Sequence, residues 1–270
     1  MTPIHCAELS NTYDINLFEG AITHCCKFES IVVTSDEINK LGSKIFDFNK
    51  ETFKARQDLL NGIQTERCRE CWNLENKNLL SWRLLRNQGA NINRITVNIQ
   101  ISSLCNQSCY YCVPSLSSTI SSKFDNWINF AGDVYPIKKT IKQNNLEFKH
   151  VVGFIQDLPA HINSLVLSVT GGEPFLVDNF ENDIVELANI FLEARPDNQV
   201  QLVVSTNGNT KSDKLLHYYE KSKKNSRIKI ITSLSLENLE DRAEYVRGGL
   251  IWSNFIENFK IHRNMQTIFL

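Results

Sequence analysis

Three cysteines lie close together in the stretch CNQSCYYC at 105–112. Cys105, Cys109 and Cys112 are separated by three residues and then by two. A structural zinc site takes four ligands, and a disulfide framework takes an even number of cysteines. Thiolates favour zinc and iron–sulfur clusters, and a cubane cluster held by three of them keeps one iron open for chemistry. Zinc loops and chance groupings give the same spacing, so these residues alone leave the kind of site open.

A second group of residues, TGGEP at 170–174, follows a short apolar run further along the chain. Gly171 and Gly172 allow a ligand to approach the backbone closely. Glu173 is a carboxylate suited to an ammonium group, and Pro174 stiffens the turn. The same composition occurs in plain loops, and its place after the cysteine stretch makes it a candidate binding turn.

Four further cysteines precede both motifs: Cys6, Cys25, Cys68 and Cys71. Two pairs of thiolates can close a tetrahedral zinc site or ligate a complete [4Fe–4S] cluster, and the residue types favour neither. Cys26 remains as an alternative ligand or as a small buried hydrophobic residue.

The elements that must position these residues alternate between strands and helices. Apolar and β-branched runs predict strands at 95–102, 164–170, 201–206, 228–234 and 265–270. Apolar spacing predicts a helix over 181–195 that ends at Pro196. This alternation indicates right-handed βαβ units and a parallel sheet, in which ligands collect at the carboxyl ends of the strands. We therefore expect the cysteine stretch and TGGEP at one edge of the sheet.

The first 90 residues have a different pattern. Residues 15–25 predict two short strands joined by a turn at Glu19-Gly20. Residues 50–64 predict a helix with Gly62 as its cap.

The composition is that of an ordinary globular protein, with 270 residues, 42% hydrophobic, 22% charged and a net charge of −1. The near-neutral charge gives no electrostatic reason for binding nucleic acid. We interpret the basic run KSKKNSRIK at 221–229, which joins a helical stretch to a strand, as a solvated loop.

The sequence begins without a signal-peptide pattern, and no uncharged apolar run reaches the roughly 18–20 residues that span a bilayer. We therefore expect no membrane association and a cytoplasmic location. Structural disulfides are rare there, so the eight cysteines indicate metal or reactive-thiol chemistry. A secreted chain with disulfides is the alternative.

Together these motifs resemble the radical S-adenosylmethionine superfamily. Its C-x3-C-x2-C pattern, with an aromatic residue before the last cysteine, is matched by Cys105, Cys109, Tyr111 and Cys112, and its GGEP element by 171–174. The resemblance implies an α/β fold with a partial (β/α) barrel at 91–270. It also implies a [4Fe–4S] cluster whose open iron binds the amino and carboxylate groups of S-adenosylmethionine. One electron then cleaves this cofactor, and the resulting 5′-deoxyadenosyl radical removes a hydrogen atom from the substrate.

The family's cofactor contacts carry over to particular residues of this chain. The resemblance implies that Glu173 and the backbone of Gly171 and Gly172 bind the cofactor's amino group. Positions that often meet its ribose or carboxylate are matched by Ser205, Asn207, Ser233 and Ser235, each of which suits a turn or a helix cap nearly as well.

Arg247, in the stretch EYVRGG, is a candidate partner for a carboxylate of the cofactor or substrate. A surface ion pair with Glu244 or another acid is the alternative for this side chain.

The front-end cysteines resemble the auxiliary-cluster motif of twitch and SPASM domains, in which C-x(9–15)-G-x4-C precedes a later C-x2-C. Cys6, Gly20, Cys25, Cys68 and Cys71 match it. The resemblance implies a small cysteine-rich module at 1–90 with a second [4Fe–4S] cluster, and ERCRECWNLENKNLLSWR is similar to twitch-type proteins of phage and environmental bacteria.

The chain departs from the family pattern in two ways. Most relatives carry the auxiliary module after the barrel, whereas here it comes first. The family barrel has six strands, and only five can be identified here, so we expect either a truncated barrel or one completed by a partner.

Two functions follow as hypotheses. The first is a two-cluster radical enzyme that oxidises or crosslinks a substrate such as a peptide or protein side chain, with sugars and nucleotides next, and takes electrons from a donor such as flavodoxin or ferredoxin. The second is a non-catalytic module in which the front-end cysteines bind zinc or an iron–sulfur cluster on a degenerate barrel.

Overall fold

The computed structural model of the protein describes residues 4–123, 146–265 and 268–269. Its fold is mixed α/β, as the alternation of elements predicts. The strands are β1 (Thr12–Asn16), β2 (Ala21–Thr23), β3 (Ile31–Val32), β4 (Arg94–Gln100), β5 (Ser108–Cys109), β6 (Ser164–Thr170), β7 (Gln199–Thr206), β8 (Ile228–Leu234), β9 (Arg247–Gly248) and β10 (Ile268–Phe269).

The helices of the described residues vary from one turn to four turns. They are α1 (Ala7–Asn11), α2 (Ser35–Leu41), α3 (Ile45–Phe48), α4 (Lys50–Leu60), α5 (Arg69–Glu75), α6 (Trp82–Asn87), α7 (118–123), α8 (Phe148–Gln156), α9 (Phe180–Glu193), α10 (Ser212–Lys223), α11 (Glu240–Val246) and α12 (Trp252–Asn264). Short 3₁₀ turns cover Gly42–Lys44, Glu66–Cys68 and Pro174–Leu176.

Eight strands form one sheet in the order β10-β8-β7-β6-β4-β1-β2-β3. Every pairing from β10 to β1 is parallel, and β2 and β3 add an antiparallel edge. The mostly parallel sheet confirms the prediction from alternating elements. β5 and β9 pair separately in an antiparallel ribbon.

The strand predictions are confirmed most closely where apolar runs are bounded by turns. β6 and β8 have the predicted bounds, and β4 and β7 differ from prediction by one or two residues at their ends. Of the predicted strand 265–270, positions 266, 267 and 270 lie outside the described residues. The hairpin around Gly20 also forms, although its first strand begins at Thr12, and the helix predicted over 50–64 ends at Leu60, two residues before Gly62.

Among the described elements, the helices that connect the parallel strands pack on one face of the sheet. From β4 to β10 the strand order follows the chain order, and right-handed crossovers then leave all connecting helices on the same side. Ile99, Leu167 and Val204 belong to the buried face and pack in the main hydrophobic core with α8, α9 and α10. The opposite face carries half-exposed side chains such as Asn98 and Ser168.

The connecting helices form where apolar residues recur at helical spacing and are followed by a residue that ends a helix. In α9, Ile184, Leu187, Ala188 and Phe191 are buried at i, i+3, i+4 and i+7, and the helix ends three residues before Pro196. The basic run at 221–229 is not a loop as a whole, because α10 extends to Lys223 and β8 begins at Ile228. Lysines in the last turn of a helix interact favourably with its dipole, which explains why α10 continues into the run.

The front end is continuous with this sheet. β1 pairs in parallel with β4, with Tyr13 opposite Val97 and Asn16 opposite Gln100. Tyr13, Ile15 and Ile22 belong to the same hydrophobic core as β4, β6 and β7. The division predicted at residue 90 therefore separates two segments that share one sheet, while the cysteines of the front end pack in a smaller cluster with Trp72 and Phe28.

Among the described residues, no helix is both long enough and apolar enough to cross a lipid bilayer.

We expect Ile15→Ala to lower the free energy of unfolding of the whole domain by about 2–5 kcal/mol, because it leaves a cavity in the shared core. Ile15 is 2% exposed, whereas Leu60 is 60% exposed. Leu60→Ala should therefore change stability by no more than about 0.5 kcal/mol. Denaturant unfolding followed by circular dichroism measures both, and a separate low-stability transition for Ile15→Ala alone would show that the front end folds independently.

Candidate functional site

The three-cysteine stretch leaves the carboxyl end of β4 and returns along the edge of the molecule as β5. Cys109 lies in β5 opposite Arg247 in β9. Cys109 is buried, and Cys105 and Cys112 are half-buried. Tyr111 is half-exposed beside them. The three thiols are close enough that the charge of either neighbour would raise the pKa of Cys109.

Hydroxyl groups that follow the cysteines hold this loop closed. Ser118 Oγ accepts a hydrogen bond from Cys105 N at 3.1 Å, and Thr119 Oγ1 donates to Cys105 O at 2.6 Å. Ser117 Oγ donates to Gln107 O at 2.8 Å. Sequence reasoning missed these three residues. The polar run LSST at 116–119, directly after the third cysteine, is the only local signal for them.

The GGEP turn packs directly against the backbone of the cysteine loop. Glu173 N donates to Leu104 O at 2.7 Å, and Gly172 N donates to Leu116 O at 3.1 Å. A Cβ added at Gly172 would lie 2.5 Å from Leu104 O, and Gly172 has a φ of 59°. Glycine is therefore required here by a contact between two loops. Pro174 is buried and begins the short 3₁₀ turn that follows.

The Glu173 carboxylate is fully buried and binds the loop after β7. Thr206 Oγ1 donates to Glu173 Oε1 at 2.8 Å, and Asn207 N donates to Oε2 at 2.7 Å. Phe175 N donates to Oε1 at 3.2 Å. Burial raises the pKa of Glu173 to about 7, against the opposing effect of these three donors. The side chain thus ties the GGEP turn to the loop after β7, while the backbone N–H of Glu173 binds the cysteine loop, and the expected contact with a cofactor amino group stays a prediction.

Asn207 connects the loop after β7 to the first cysteine. Its Nδ2 donates to Asn106 Oδ1 at 2.8 Å and lies 3.9 Å from Cys105 Sγ. Asn106 Nδ2 in turn donates to Asn209 O at 2.8 Å. The structure therefore brings Asn207 to the cysteine loop, as expected from its position after a parallel strand.

Arg247 is buried and faces the second cysteine. Its guanidinium pairs with both carboxylate oxygens of Glu237 at 2.5 Å, and its Nη1 lies 3.6 Å from Cys109 Sγ. The ring of Tyr111 lies beside the guanidinium, and Tyr111 OH donates to Glu237 at 2.5 Å. The partner of Arg247 is thus the exposed acid Glu237 and not Glu244, so the ion pair that was the alternative for this side chain does form, with a guanidinium that is itself buried. Glu237 was missed because nothing in its sequence neighbourhood distinguishes it.

Gln107, between the first two cysteines, is fully buried. Its Oε1 lies 3.4 Å from Arg247 Nη1, while its Nε2 is buried with no hydrogen-bond partner. An unsatisfied buried donor is costly, and this one belongs to the loop that carries the three thiols.

The remaining polar residues predicted from the sequence lie in β7 and β8 or directly after β8. Ser205 and Ser233 are half-buried register partners in β7 and β8. Ser235 follows β8, and its N donates to Thr206 O at 3.0 Å. The side chains of these three residues form no hydrogen bond to the cysteines, and their contact with a cofactor stays a prediction. Gly171 approaches Gln100, whose Cγ would lie 2.4 Å from an added Cβ.

The four front-end cysteines surround one small cavity of about 10 Å³. Its walls are Cys6, Cys25, Cys68 and Cys71 together with Glu8, Lys27, Trp82 and Arg83. Burial raises the pKa of the Cys25 and Cys68 thiols to about 12. Cys26 is exposed and does not line the cavity, so it is not the buried hydrophobic residue that was one of its alternatives.

Charge and hydrogen-bond donors around this cavity suit an anionic sulfur-rich group. The Arg83 guanidinium lowers the pKa of both Cys6 and Cys68, against the larger effect of burial. The indole N–H of Trp82 is buried with no partner. A cluster ligated by four thiolates would offer sulfur acceptors to that N–H, and the four side chains would have to move apart to admit it, since the cavity has room for about one water molecule.

His24 also supports this cavity and was missed in the sequence. It is fully buried, and its Nδ1 donates to Thr12 O at 2.8 Å while Nε2 accepts from Thr52 Oγ1 at 3.0 Å. Burial lowers its pKa to about 3, so the ring is neutral. It anchors the segment that carries Cys25 to β1 and α4. A histidine directly before a cysteine pair is the signal that could have found it.

Across residues 4–123, 146–265 and 268–269, no three Cys, His, Asp or Glu side chains are arranged to hold a single metal ion. All eight cysteines are free thiols. Comparison with protein-family models, curated proteins and solved structures gives no match.

Gly172→Ala and Gly89→Ala form a matched pair, because φ is positive at both, 59° and 71°, but nothing lies within 4 Å of a Cβ at Gly89. The left-handed backbone alone should cost about 1–2 kcal/mol in each variant. Gly172→Ala should cost more and should loosen the cysteine loop. Alkylation of the reduced protein, mapped by peptide mass spectrometry, should be faster at Cys105 and Cys112 in this variant only. Equal rates in the two variants would contradict the contact.

Glu173 should make the protein less stable as the pH rises towards neutrality. Because its folded-state pKa is about 7 and its ordinary value is 4.5, the native state holds a proton between these values that the unfolded state releases. Through this group the free energy of unfolding should fall by about 3 kcal/mol from pH 4.5 to 7. Glu173→Gln cannot ionise and should lack this fall.

Denaturant unfolding at about pH 5 and about pH 8 measures the difference between wild type and Glu173→Gln. Glu193→Gln, at the exposed end of α9, is the matched control and should parallel the wild type. A difference between wild type and Glu173→Gln that does not change with pH would contradict the raised pKa.

Proposed function

We propose that this protein is a radical S-adenosylmethionine enzyme of the superfamily that its motifs resemble. The observation that carries the proposal is the convergence of the three-cysteine loop, the GGEP turn and the loop after β7 at the carboxyl ends of neighbouring parallel strands. Glu173 joins all three through its backbone and carboxylate. Ligand sites in parallel α/β folds form at this edge.

Cys105, Cys109 and Cys112 would hold a [4Fe–4S] cluster, and the polar groups around them suit its negative charge. Arg247 and Asn207 direct N–H groups towards two of the sulfur atoms, at 3.6 Å and 3.9 Å. Gln107 adds a buried N–H without a partner. When bound, the cluster supplies the electron that cleaves S-adenosylmethionine to a 5′-deoxyadenosyl radical.

The chain's own residues position and shield this site. Glu237 fixes the guanidinium of Arg247 through two hydrogen bonds, so that its third nitrogen is left to face Cys109. Gly172 lets the GGEP turn approach closely enough to shield the loop backbone from water. Such shielding strengthens electrostatic interactions within the site.

The one-sided sheet supports a partial barrel. Strands β4, β6, β7, β8 and β10 follow one another in both chain and sheet order, and the face opposite the main core carries half-exposed polar side chains such as Asn98, Gln100 and Ser168 beside the buried Val166. In a partial barrel that face would be the interior, where a substrate is held beside the cysteine loop.

The four front-end cysteines would hold a second [4Fe–4S] cluster. The walls of their cavity include Arg83 and Lys27, and the free N–H of Trp82 would meet a sulfur atom. A cluster fully ligated by protein has no open iron, so its role would be to accept or donate electrons. We propose a peptide or protein side chain as substrate and a flavodoxin or ferredoxin as electron donor. We propose the cytoplasm as the location, because all eight thiols are unpaired.

Anaerobic reconstitution with iron and sulfide tests the proposal. The wild-type chain should bind about eight irons, four for each cluster, and should release 5′-deoxyadenosine from S-adenosylmethionine only when a reductant is present. Cys109→Ala should lose about four irons and all of the 5′-deoxyadenosine, while keeping the front-end cluster. Iron analysis and mass spectrometry of the nucleoside provide the two readouts.

Two further variants separate the sites. Cys71→Ala should also lose about four irons, but from the other cluster, which electron paramagnetic resonance distinguishes. Cys26→Ala replaces an exposed cysteine outside both sites and should keep the full iron content. One bound zinc and no nucleoside from the wild-type chain would contradict the proposal and support a non-catalytic metal-binding protein.

A further inference from the structure

A cavity of about 270 Å³ opens on the polar face of the sheet, at the carboxyl ends of β1, β4 and β6. The described residues that form it include Asp14, Asn16, Glu19, Asn98, Gln100 and Thr170. Asn16, Gln100 and Thr170 are the last residues of their strands, so the cavity lies at the edge where the cysteine loop begins. It is smaller than the pockets that hold drug-sized ligands, and its volume suits a single side chain.

The cavity wall is shared with the proposed radical site. Gln100 Nε2 donates to Ser115 O at 3.2 Å, in the segment that follows Cys112. Gln100 also packs so closely on Gly171 that an added Cβ there would lie 2.4 Å from its Cγ. A group held in the cavity would therefore lie against Gln100, which contacts both the cysteine loop and Gly171, and against Thr170, which directly precedes the GGEP turn.

Each amide nitrogen around the cavity already donates at least one hydrogen bond within the protein, while the hydroxyls of Ser30 and Thr170 on its wall can donate or accept. Asn98 Nδ2 donates to Asp14 Oδ1. Asn16 Nδ2 donates to Glu19 Oε2 at 2.9 Å and to Gln100 Oε1 at 3.1 Å. Each of the three amide nitrogens thus points at another group of the protein. A carboxylate has about four acceptor positions, and most of those on Asp14 and Glu19 remain free.

The two carboxylates also lack a compensating positive charge. Neither Asp14 nor Glu19 forms an ion pair with any described residue, and no described lysine or arginine lines the cavity. Burial raises the pKa of Asp14, and the charge of Glu8 adds to this effect. A partly buried carboxylate without a cation is unfavourable until a positively charged group pairs with it.

We infer that this cavity binds the ammonium or guanidinium group of a lysine or arginine side chain in the substrate. A ligand that is both cationic and rich in donors matches two carboxylates that have no cation and whose remaining oxygen positions accept hydrogen bonds. A bare metal ion is the weaker match, because no three ligand side chains of the described residues converge on one point. The role of the bound side chain as part of a substrate rests on the proposed radical chemistry, whereas its binding in the cavity does not.

Saturation-transfer-difference NMR with the reconstituted full-length chain tests this inference. The probes are Nα-acetyl-lysine amide and Nα-acetyl-arginine amide, each compared with its neutral counterpart, Nα-acetyl-norleucine amide and Nα-acetyl-citrulline amide. The cationic probes should bind at least about tenfold more tightly, because a charge-assisted hydrogen bond is worth more than about 1.4 kcal/mol. This comparison uses the wild-type protein and needs no variant to fold.

Two substitutions then locate the site. Asp14→Asn and Glu19→Gln should each weaken binding of the cationic probes by about tenfold. Asp36→Asn removes the same charge from an exposed position on α2 and should leave their binding unchanged. Equal affinity for charged and neutral probes, or unchanged affinity in both cavity variants, would overturn the inference.

The outcome is separable from that of the proposed function. Selective binding of the cationic probes without reductant-dependent 5′-deoxyadenosine would support the cavity and contradict the radical enzyme. Formation of 5′-deoxyadenosine without selective binding of the cationic probes would support the radical enzyme and contradict the cavity.

Discussion

The close approach of the GGEP turn to the cysteine loop is the constraint on which the rest of the proposed site depends. Gly172 leaves room for the carbonyl of Leu104, and the next residue, Glu173, then hydrogen-bonds that carbonyl and reaches across to Thr206 and Asn207. The ends of β4, β6 and β7 are thereby joined through one residue, with its backbone N–H on the β4 side and its buried carboxylate on the β7 side. Because a buried carboxylate without these donors would be strongly unfavourable, the loops must adopt this arrangement together.

The second organising feature is the parallel pairing of β1 with β4, which makes the front end part of the sheet. It places Asp14 and Asn16 on the same face and in register with Asn98 and Gln100. It also fixes one wall of the four-cysteine cavity, because His24 binds the backbone of β1 on one side and Thr52 on the other. The two groups of cysteines are therefore held by one sheet. The front-end segment, which carries Cys6 and Cys25, also supplies Asp14, Asn16 and Glu19 to the wall of the polar cavity.

The sequence predicts those features that depend on local pattern. β6 and β8 are continuous apolar runs between turns, so their bounds follow from residue types alone, and the four front-end cysteines that line one cavity were grouped by spacing. Pairings between distant segments have no such signal. Nothing near Thr12 indicates that it lies opposite Thr96, and nothing near Glu237 indicates that it binds Arg247. The orientation of the Glu173 side chain could not be predicted from its own neighbours either, because a carboxylate after two glycines can point towards a ligand or towards the protein. Its hydrogen bonds to Thr206 and Asn207, in the loop after β7, decide between the two.

The polar groups at this edge of the sheet fall into two sets, one that offers hydrogen-bond donors and one that offers carboxylate acceptors. Around the cysteine loop, Arg247, Asn207 and Gln107 offer N–H groups, two of them directed at sulfur. Around the polar cavity, the amide nitrogens are committed and carboxylate oxygens remain. An anionic cluster or the carboxylate of a cofactor would find donors around the cysteine loop, whereas the cavity would oppose it with Asp14 and Glu19. A cationic side chain would find acceptors around the cavity. Two ligands of opposite character would therefore be held side by side without competing for the same position, which is the arrangement that hydrogen transfer between them requires.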